Sequence, residues 1–150
     1  MYRWYQRSSK CYALLADVSI LSENNDTDYR DDQLRRSRWF TRGWTLQELL
    51  APPSVCFYSR EGNLLGDKQS LEKPLSEITG IPISALRGTP PALFSVEDKL
   101  SWSRHRQTKR EEDRVYSLLG LIDIHIPAMY GEGEHNTLHR LQSEIEMRLK

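Results

Sequence analysis

Cysteine and long apolar runs are both scarce in this chain. Its 150 residues include two cysteines, Cys11 and Cys56, which are too few for a disulfide framework and lack the spacing of a metal site. No apolar run approaches the ~18 residues of a membrane span, and Met1–Gln6 contains no apolar core of a secretory signal. These features argue against a disulfide-rich secreted protein and a membrane-spanning protein, so we expect a reducing, cytoplasmic location.

An excess of charge of either sign is also missing. Lys and Arg total 21, Asp and Glu total 21, and the formal net charge is +0. Proteins that bind nucleic acid or anionic membrane surfaces usually carry a basic excess, so this composition argues against both kinds of partner. The length suits one domain, and the sequence shows no internal repeat or low-complexity tract.

A segment rich in tryptophan and arginine, residues 37–52, is the most distinctive part of the chain. It reads SRWFTRGWTLQELLAP. Leu46 and Leu49 recur at helical spacing and Pro52 ends the element, so the pattern predicts a short helix. Glu48 is the only acid in the segment. A glutamate on a short helix beside aromatic faces and guanidinium groups could act on a bound, charged small molecule, or it could be a solvated surface acid.

A nearly continuous apolar run over residues 11–18 predicts a β-strand. Apolar runs without polar alternation are typical of strands covered on both faces, as in a parallel sheet. Asp17 lies at the end of this run, and ligands of open α/β sheets bind at the carboxyl ends of strands. Asp17 is therefore a candidate binding residue, and the alternative is a turn residue.

The remaining pattern predicts an α/β chain with a helical C-terminal part. The polar, acidic stretch 22–33 is expected to be a mobile loop. Turn residues at 60–62 predict a hairpin between the apolar segments 54–59 and 63–66. Apolar residues at helical spacing predict helices before Ser8, at 70–78, after Ser95, at 111–122 and from Gly133 to the C-terminus. Ser70 and Ser95 are the expected N-caps of their helices, and Leu149 is expected to face inward in the last one.

Two groups of side chains have the chemistry of ligand sites. The four arginines at 35, 36, 38 and 42 could bind an anion through bidentate contacts, or they could form a solvated basic face paired with the acidic 22–33 stretch. His135 and His139 have the i, i+4 spacing of metal ligands, but no third ligand is evident and surface histidines are the simpler interpretation. We therefore predict neither a bound metal nor a cofactor.

Three blocks of the sequence resemble the fungal heterokaryon-incompatibility (HET) domain. They are Arg3–Tyr5 with Cys11–Val18, the 37–52 segment, and a third block from Ser101-Trp102 through 111–120 to Pro127–Gly133. HET domains open with a strand, a helix and a second strand that have no counterpart here. The resemblance implies an N-terminally truncated HET domain over residues 1–150, which we expect to be marginally stable or to aggregate unless a partner supplies the rest.

The resemblance also implies a function and a fold. HET domains act in self/non-self recognition between fungal cells and in the cell death that follows incompatible fusion. They are distantly similar to TIR domains, which implies a partial Rossmann-like sheet. TIR domains carry a Trp-Cys-x-x-Glu-Leu motif, and Trp44 to Leu49 occupies the matching place, with Thr45 where the motif has cysteine. The motif glutamate is catalytic in NAD-cleaving TIR domains, so Glu48 becomes the candidate catalytic residue.

Two functions stay open from the sequence. In the first, the intact domain hydrolyses NAD through Glu48, with Arg42, Trp44, Asp17 and Arg38 as ligand-binding residues. In the second, the tryptophan-rich surface is a non-catalytic module for self-association or for docking protein partners, or this chain is an inactive remnant. Catalysis requires Glu48 to lie in a cleft with a tuned pKa, whereas assembly makes no demand on Glu48.

Overall fold

A computed structural model describes residues 2–21 and 27–150 and shows a mixed α/β fold with a helical C-terminal part, as predicted. The strands are Cys11–Leu14 (β1), Val55–Tyr58 (β2) and Leu64–Asp67 (β3). The α-helices are Tyr2–Arg7 (α1), Thr27–Arg36 (α2), Thr45–Leu50 (α3), Glu72–Thr79 (α4), Ile83–Leu86 (α5), Val96–Ser103 (α6), Asp113–Tyr116 (α7), Leu119–Ile122 (α8) and Glu134–Leu149 (α9). Two 3₁₀ turns lie at Arg38–Thr41 and Pro91–Leu93.

The three strands form one sheet in the order β1-β2-β3. β1 runs parallel to β2, with Cys11 opposite Val55, and β2 runs antiparallel to β3. The predicted hairpin is therefore confirmed. Its turn contains Gly62 at φ 84°, a left-handed conformation that glycine adopts without steric penalty.

The prediction that the first strand is covered on both faces is wrong. Side chains alternate across a strand, and in β1 Ala13 is buried whereas Tyr12 is 68% and Leu14 is 59% exposed. Leu64 of β3 is also 63% exposed, and it pairs with Tyr58 beside Leu14. The sheet therefore presents an outer face with apolar side chains, which we call the outer sheet face: Tyr12, Leu14, Tyr58 and Leu64.

The main core joins the inner face of the sheet to helices from both halves of the chain. Phe57 of β2 is fully buried. Its ring packs edge-to-face with Trp39, and the two ring centroids lie 5.4 Å apart. Leu46 and Leu49 of α3 are fully buried in the same cluster. A second, smaller core surrounds Leu141 of α9. Burial of this kind contributes about 1.5–3 kcal/mol for each large aliphatic or aromatic side chain.

The chain is helical over part of the stretch predicted to be a mobile loop. Residues 22–26 lie outside the described residues, but 27–33 belong to α2. Tertiary contacts explain the difference, because Leu34 is buried in the main core. The Gln33 side chain also accepts from Ser19 N at 2.9 Å and donates to Ser19 O at 2.8 Å.

The predicted helix over 111–122 is split into α7 and α8. The side-chain amide of Gln47 donates to Ser117 O at 2.5 Å, and Leu121 N bonds to Leu118 O instead. A tertiary contact therefore takes the carbonyl that a continuous helix would use. At the end of α9, Leu149 is 83% exposed, so its predicted inward position is also wrong.

Two further expectations concern single elements. Ser95 caps α6 as predicted, since its hydroxyl accepts from Asp98 N at 3.1 Å. Ser70 does not cap α4; its hydroxyl accepts from Asp67 N in the preceding turn. Within residues 2–21 and 27–150, no helix has both the length and the apolarity needed to cross a bilayer.

The close approach of Gly43 to Thr108 provides a test of the packing. Gly43 N donates to Gln107 O at 2.9 Å, and a Cβ built on Gly43 would lie 2.4 Å from Thr108 Cγ2. We expect Gly43→Ala to lower the free energy of unfolding by about 1–3 kcal/mol, because overpacking displaces the neighbouring chain. Urea denaturation measures this change.

Thr108→Ser serves as the matched rescue for this test. It removes the clashing methyl group and keeps the hydroxyl that donates to Arg110 O. The double variant G43A/T108S should recover most of the lost stability, as coupled neighbours do. A double variant as unstable as the sum of the two single variants would contradict the steric explanation.

Candidate functional site

Helix α3 positions Glu48 because four of its other side chains are anchored. Leu46 and Leu49 are fully buried, and Gln47 is 2% exposed with its amide bonded to Ser117 O. Thr45 begins the helix, and its hydroxyl donates to Trp39 O at 2.5 Å. Glu48 is half-buried on the remaining face.

Glu48 contacts helix α1. The Tyr5 hydroxyl donates to Glu48 Oε1 at 3.3 Å. Burial raises the pKa of Glu48, although the Tyr5 hydrogen bond and the positive charge of Arg42 lower it in part. Burial and the neighbouring Glu48 raise the pKa of Tyr5, so the phenol stays protonated and remains a donor.

Cys11 lies near Glu48, and Lys68 lies near Cys11. Cys11 at the start of β1 is half-buried, and burial and the charge of Glu48 raise the pKa of its thiol. Lys68 is 5% exposed, and burial lowers the pKa of its amine to about 8. We call Tyr5, Cys11, Glu48 and Lys68 the Glu48 cluster. Sequence reasoning missed Tyr5, Cys11 and Lys68 as members, because no local motif links them to Glu48.

Lys68 also closes the C-terminal end of α3. Its Nζ donates to Leu49 O at 2.9 Å and to Pro52 O at 2.8 Å. These carbonyls have no partner within a helix that ends at Leu50. A buried lysine therefore replaces water as the donor at this helix end.

A second buried cation holds the N-terminal end of α3. Arg106 is 4% exposed, and its Nη1 donates to Arg42 O and to Thr45 Oγ1, both at 2.9 Å. Burial lowers the pKa of Arg106 to about 10. Its Nη2 is buried without a hydrogen-bond partner among the described residues. Arg106 is a further positioning residue that the sequence did not indicate.

The predicted ligand residues Arg42 and Trp44 flank the N-terminus of α3. The Arg42 side chain is exposed, and its charge lowers the pKa of Glu48. Trp44 is half-buried and packs against the second core. Arg42 therefore shares the electrostatic environment of Glu48, whereas Trp44 contacts the helical part of the chain.

Asp17 and Arg38 form a separate pair. Asp17 accepts from Ser37 Oγ at 2.7 Å and from Arg38 N at 2.8 Å, and Arg38 Nε lies 3.7 Å from its carboxylate. Burial raises the pKa of Asp17, but these hydrogen bonds outweigh it, so the pKa falls below its usual range. The Asp17 carboxylate thus holds the start of the Arg38–Thr41 turn.

The structure does not bring Asp17 to Glu48. Glu48 interacts with Cys11 at the amino end of β1, whereas Asp17 follows the carboxyl end of the same strand. The four residues of β1 separate these ends by roughly 10 Å at 3.3 Å per residue. Asp17 and Arg38 are therefore not part of the Glu48 cluster.

The other arginines of the proposed anion site are paired elsewhere. Arg35 forms an ion pair with Glu77 of α4, and Arg36 lies 3.3 Å from Asp32 one turn earlier in α2. The four arginines do not converge on one point, and one of them pairs with an acid of the 22–33 stretch, Asp32. His135 and His139 are both exposed, and no group of three metal-ligating side chains occurs in the described parts of the chain.

The raised pKa of Glu48 predicts a pH-dependent stability difference. A carboxyl group whose pKa is raised by folding adds stability below its unfolded pKa of about 4.3, and this stability is lost as the pH rises through the folded pKa. Glu48→Gln does not titrate. We expect the variant to gain stability relative to the original chain between about pH 4 and pH 7, measured by thermal unfolding. A constant or falling difference would show that Tyr5 and Arg42 outweigh burial.

Comparison with known proteins identifies the relationship of the chain. It is 49% identical over 146 residues to the vegetative incompatibility protein HET-E-1 of Podospora anserina. The matched region covers 97% of this chain and 11% of that protein. No family model and no solved structure matches the chain. The predicted relationship to heterokaryon-incompatibility proteins is confirmed, and this chain is a homologue of a segment of a fungal vegetative incompatibility protein.

Proposed function

We propose that this chain is a signalling module of fungal vegetative incompatibility, acting in self/non-self recognition and the cell death that follows. The observation that carries this proposal is the 49% identity to a vegetative incompatibility protein along 97% of the chain. The chain spans only 11% of that protein. We therefore assign to this chain only one part of the function of HET-E-1.

We further propose that the chemical step is hydrolysis of the nicotinamide–ribose bond of NAD, on a Rossmann-like domain related to TIR domains. Cleavage of such a bond develops positive charge on the ribose, as at other glycosidic centres. A carboxylate beside the ribose stabilises that charge, and Glu48 is the candidate. Its partial burial, its raised pKa and its contact with Tyr5 support this role, because catalytic acids occupy such environments.

The surroundings of Glu48 suggest how NAD would be held. Tyr5 bonds to Oε1, and no described residue donates to Oε2, which leaves that oxygen for the ribose. Arg42 has an exposed guanidinium group that suits a phosphate of the dinucleotide. Trp44 is partly exposed beside it and offers an aromatic surface.

A non-catalytic interaction module is the second candidate, and one observation favours it. The outer sheet face exposes Tyr12, Leu14 and Leu64 together, at 68%, 59% and 63%. Clustered exposed apolar side chains are typical of surfaces that bind other proteins. As an interaction module, the chain acts by self-association or by docking a protein partner, and Glu48 has only a structural role.

Glu48→Gln tests the enzymatic step. The substitution keeps the size of the side chain and removes its charge. We expect nicotinamide release from NAD by the 150-residue chain to fall by about 10²–10³-fold, the usual effect of removing one charge-stabilising group. Release should also slow as the pH falls through the raised pKa of Glu48, because the ionised form is required.

Glu97→Gln is the matched control for this assay. Glu97 is an exposed acid in the first turn of α6, away from the Glu48 cluster, and its substitution should leave the rate unchanged. Release that persists in Glu48→Gln would contradict the assigned role. A folded chain that releases no nicotinamide would remove the enzymatic candidate and favour the interaction module.

A chimaera tests the cellular function directly. The matching segment of HET-E-1 is replaced by this chain in Podospora anserina, and we expect the incompatibility reaction to be retained. Loss of the reaction in a chimaera that accumulates normally would contradict the proposal. Two variants separate the candidates: Glu48→Gln should abolish the reaction if the chain is an enzyme, and Leu14→Glu should abolish it if the outer sheet face binds a partner.

A further inference from the structure

A cavity of about 340 Å³ lies beside α1, the end of α3 and the segment between α5 and α6. Glu48 does not line it. Its walls include Tyr2 of α1, Pro52, Pro90, Phe94 and Trp102. Neither the proposed catalytic step nor the outer sheet face uses this cavity. Its volume lies within the range of small-molecule sites.

The walls of this cavity are mainly flat and apolar. Trp102 is 5% exposed. Its ring centroid lies 5.3 Å from that of Phe94, and the two ring planes are inclined at 69°. This edge-to-face packing holds both rings in fixed orientations. Proline rings and the Tyr2 side chain complete the apolar surface. Such a lining suits a planar aromatic ligand.

The charged groups that line this cavity are both cations. Lys68 and Arg87 are present, and none of the described lining residues is acidic. Lys68 is 5% exposed and forms no ion pair within the described chain. It uses two of its three N–H donors on Leu49 O and Pro52 O, which leaves one N–H.

Arg87 is positioned by an acid on the other side. Its Nε and Nη2 donate to Glu72 at 2.8 and 2.6 Å. Glu72 lines an adjoining cavity of about 470 Å³ and not the aromatic one. Since a guanidinium group has five N–H donors, Arg87 retains donors for a second anion.

We propose that this aromatic cavity binds a small aromatic carboxylate, with its ring against Trp102 and Phe94 and its carboxylate between Lys68 and Arg87. The single remaining N–H of Lys68 matches one carboxylate oxygen, whereas a phosphate dianion requires several donors. Burial lowers the pKa of Lys68 to about 8. A bound carboxylate would favour the charged amine and offset this effect.

Three monosubstituted benzenes of similar size test the proposal on the 150-residue chain. Benzoate, benzamide and benzylamine each contain one benzene ring, and they are anionic, neutral and cationic respectively. Binding is measured by NMR titration, from the chemical shifts of the Gly88 and Thr89 backbone amides. We expect benzoate to bind with a Kd of about 10 mM or tighter, as typical ligand efficiencies give. We expect benzamide to bind about tenfold more weakly and benzylamine not to bind, because charge-assisted hydrogen bonds are lost.

Arg87→Met and Lys68→Met should each weaken benzoate binding about tenfold and leave benzamide binding nearly unchanged. Arg60→Met and Lys73→Met are the matched controls, since both residues are exposed and line neither cavity. If Lys68→Met fails to fold, Arg87→Met alone decides the charge requirement. Equal binding of benzoate and benzamide, unchanged binding in Arg87→Met, or no shift with benzoate would each overturn the proposal.

Discussion

Burial of helix α3 is the constraint on which the rest of the structure depends. A helix of six residues is too short to be stable by itself in water, so its stability comes from tertiary packing. Leu46 and Leu49 supply that packing in the main core, together with the inner face of the sheet. Gln47 ties the same helix to Ser117, where α7 ends. The sheet and the C-terminal helices are therefore joined through α3.

Two buried cations complete this arrangement at the ends of α3. Arg106 donates to Arg42 O and Thr45 Oγ1 at its start, and Lys68 donates to Leu49 O at its end. Burial lowers the pKa of both side chains, because desolvation disfavours their charged forms. Their hydrogen bonds satisfy backbone carbonyls at both ends of the helix. The orientation of Glu48 consequently depends on residues from distant parts of the sequence.

The surfaces around this core differ in chemistry. Glu48 and Tyr5 meet where α3 contacts α1, and the aromatic cavity with Lys68 and Arg87 lies beside the same two helices. The outer sheet face is apolar and lies on the far side of β1 and β2 from the main core. The homologue is a vegetative incompatibility protein of which this chain covers 11%. Because these three surfaces are separate, a catalytic centre, a ligand cavity and a docking face would not obstruct one another.

The sequence alone determined the relationship to incompatibility proteins, the hairpin and helix α3, because motifs and local periodicity encode these features. It also identified Glu48 as the acid of the 37–52 segment. Only the tertiary structure decided that 27–33 is helical and that Asp17 lies apart from Glu48. It likewise placed Tyr5 and Cys11 beside Glu48, and Lys68 beside Cys11. These outcomes depend on contacts between residues far apart in the chain, which local propensity does not encode.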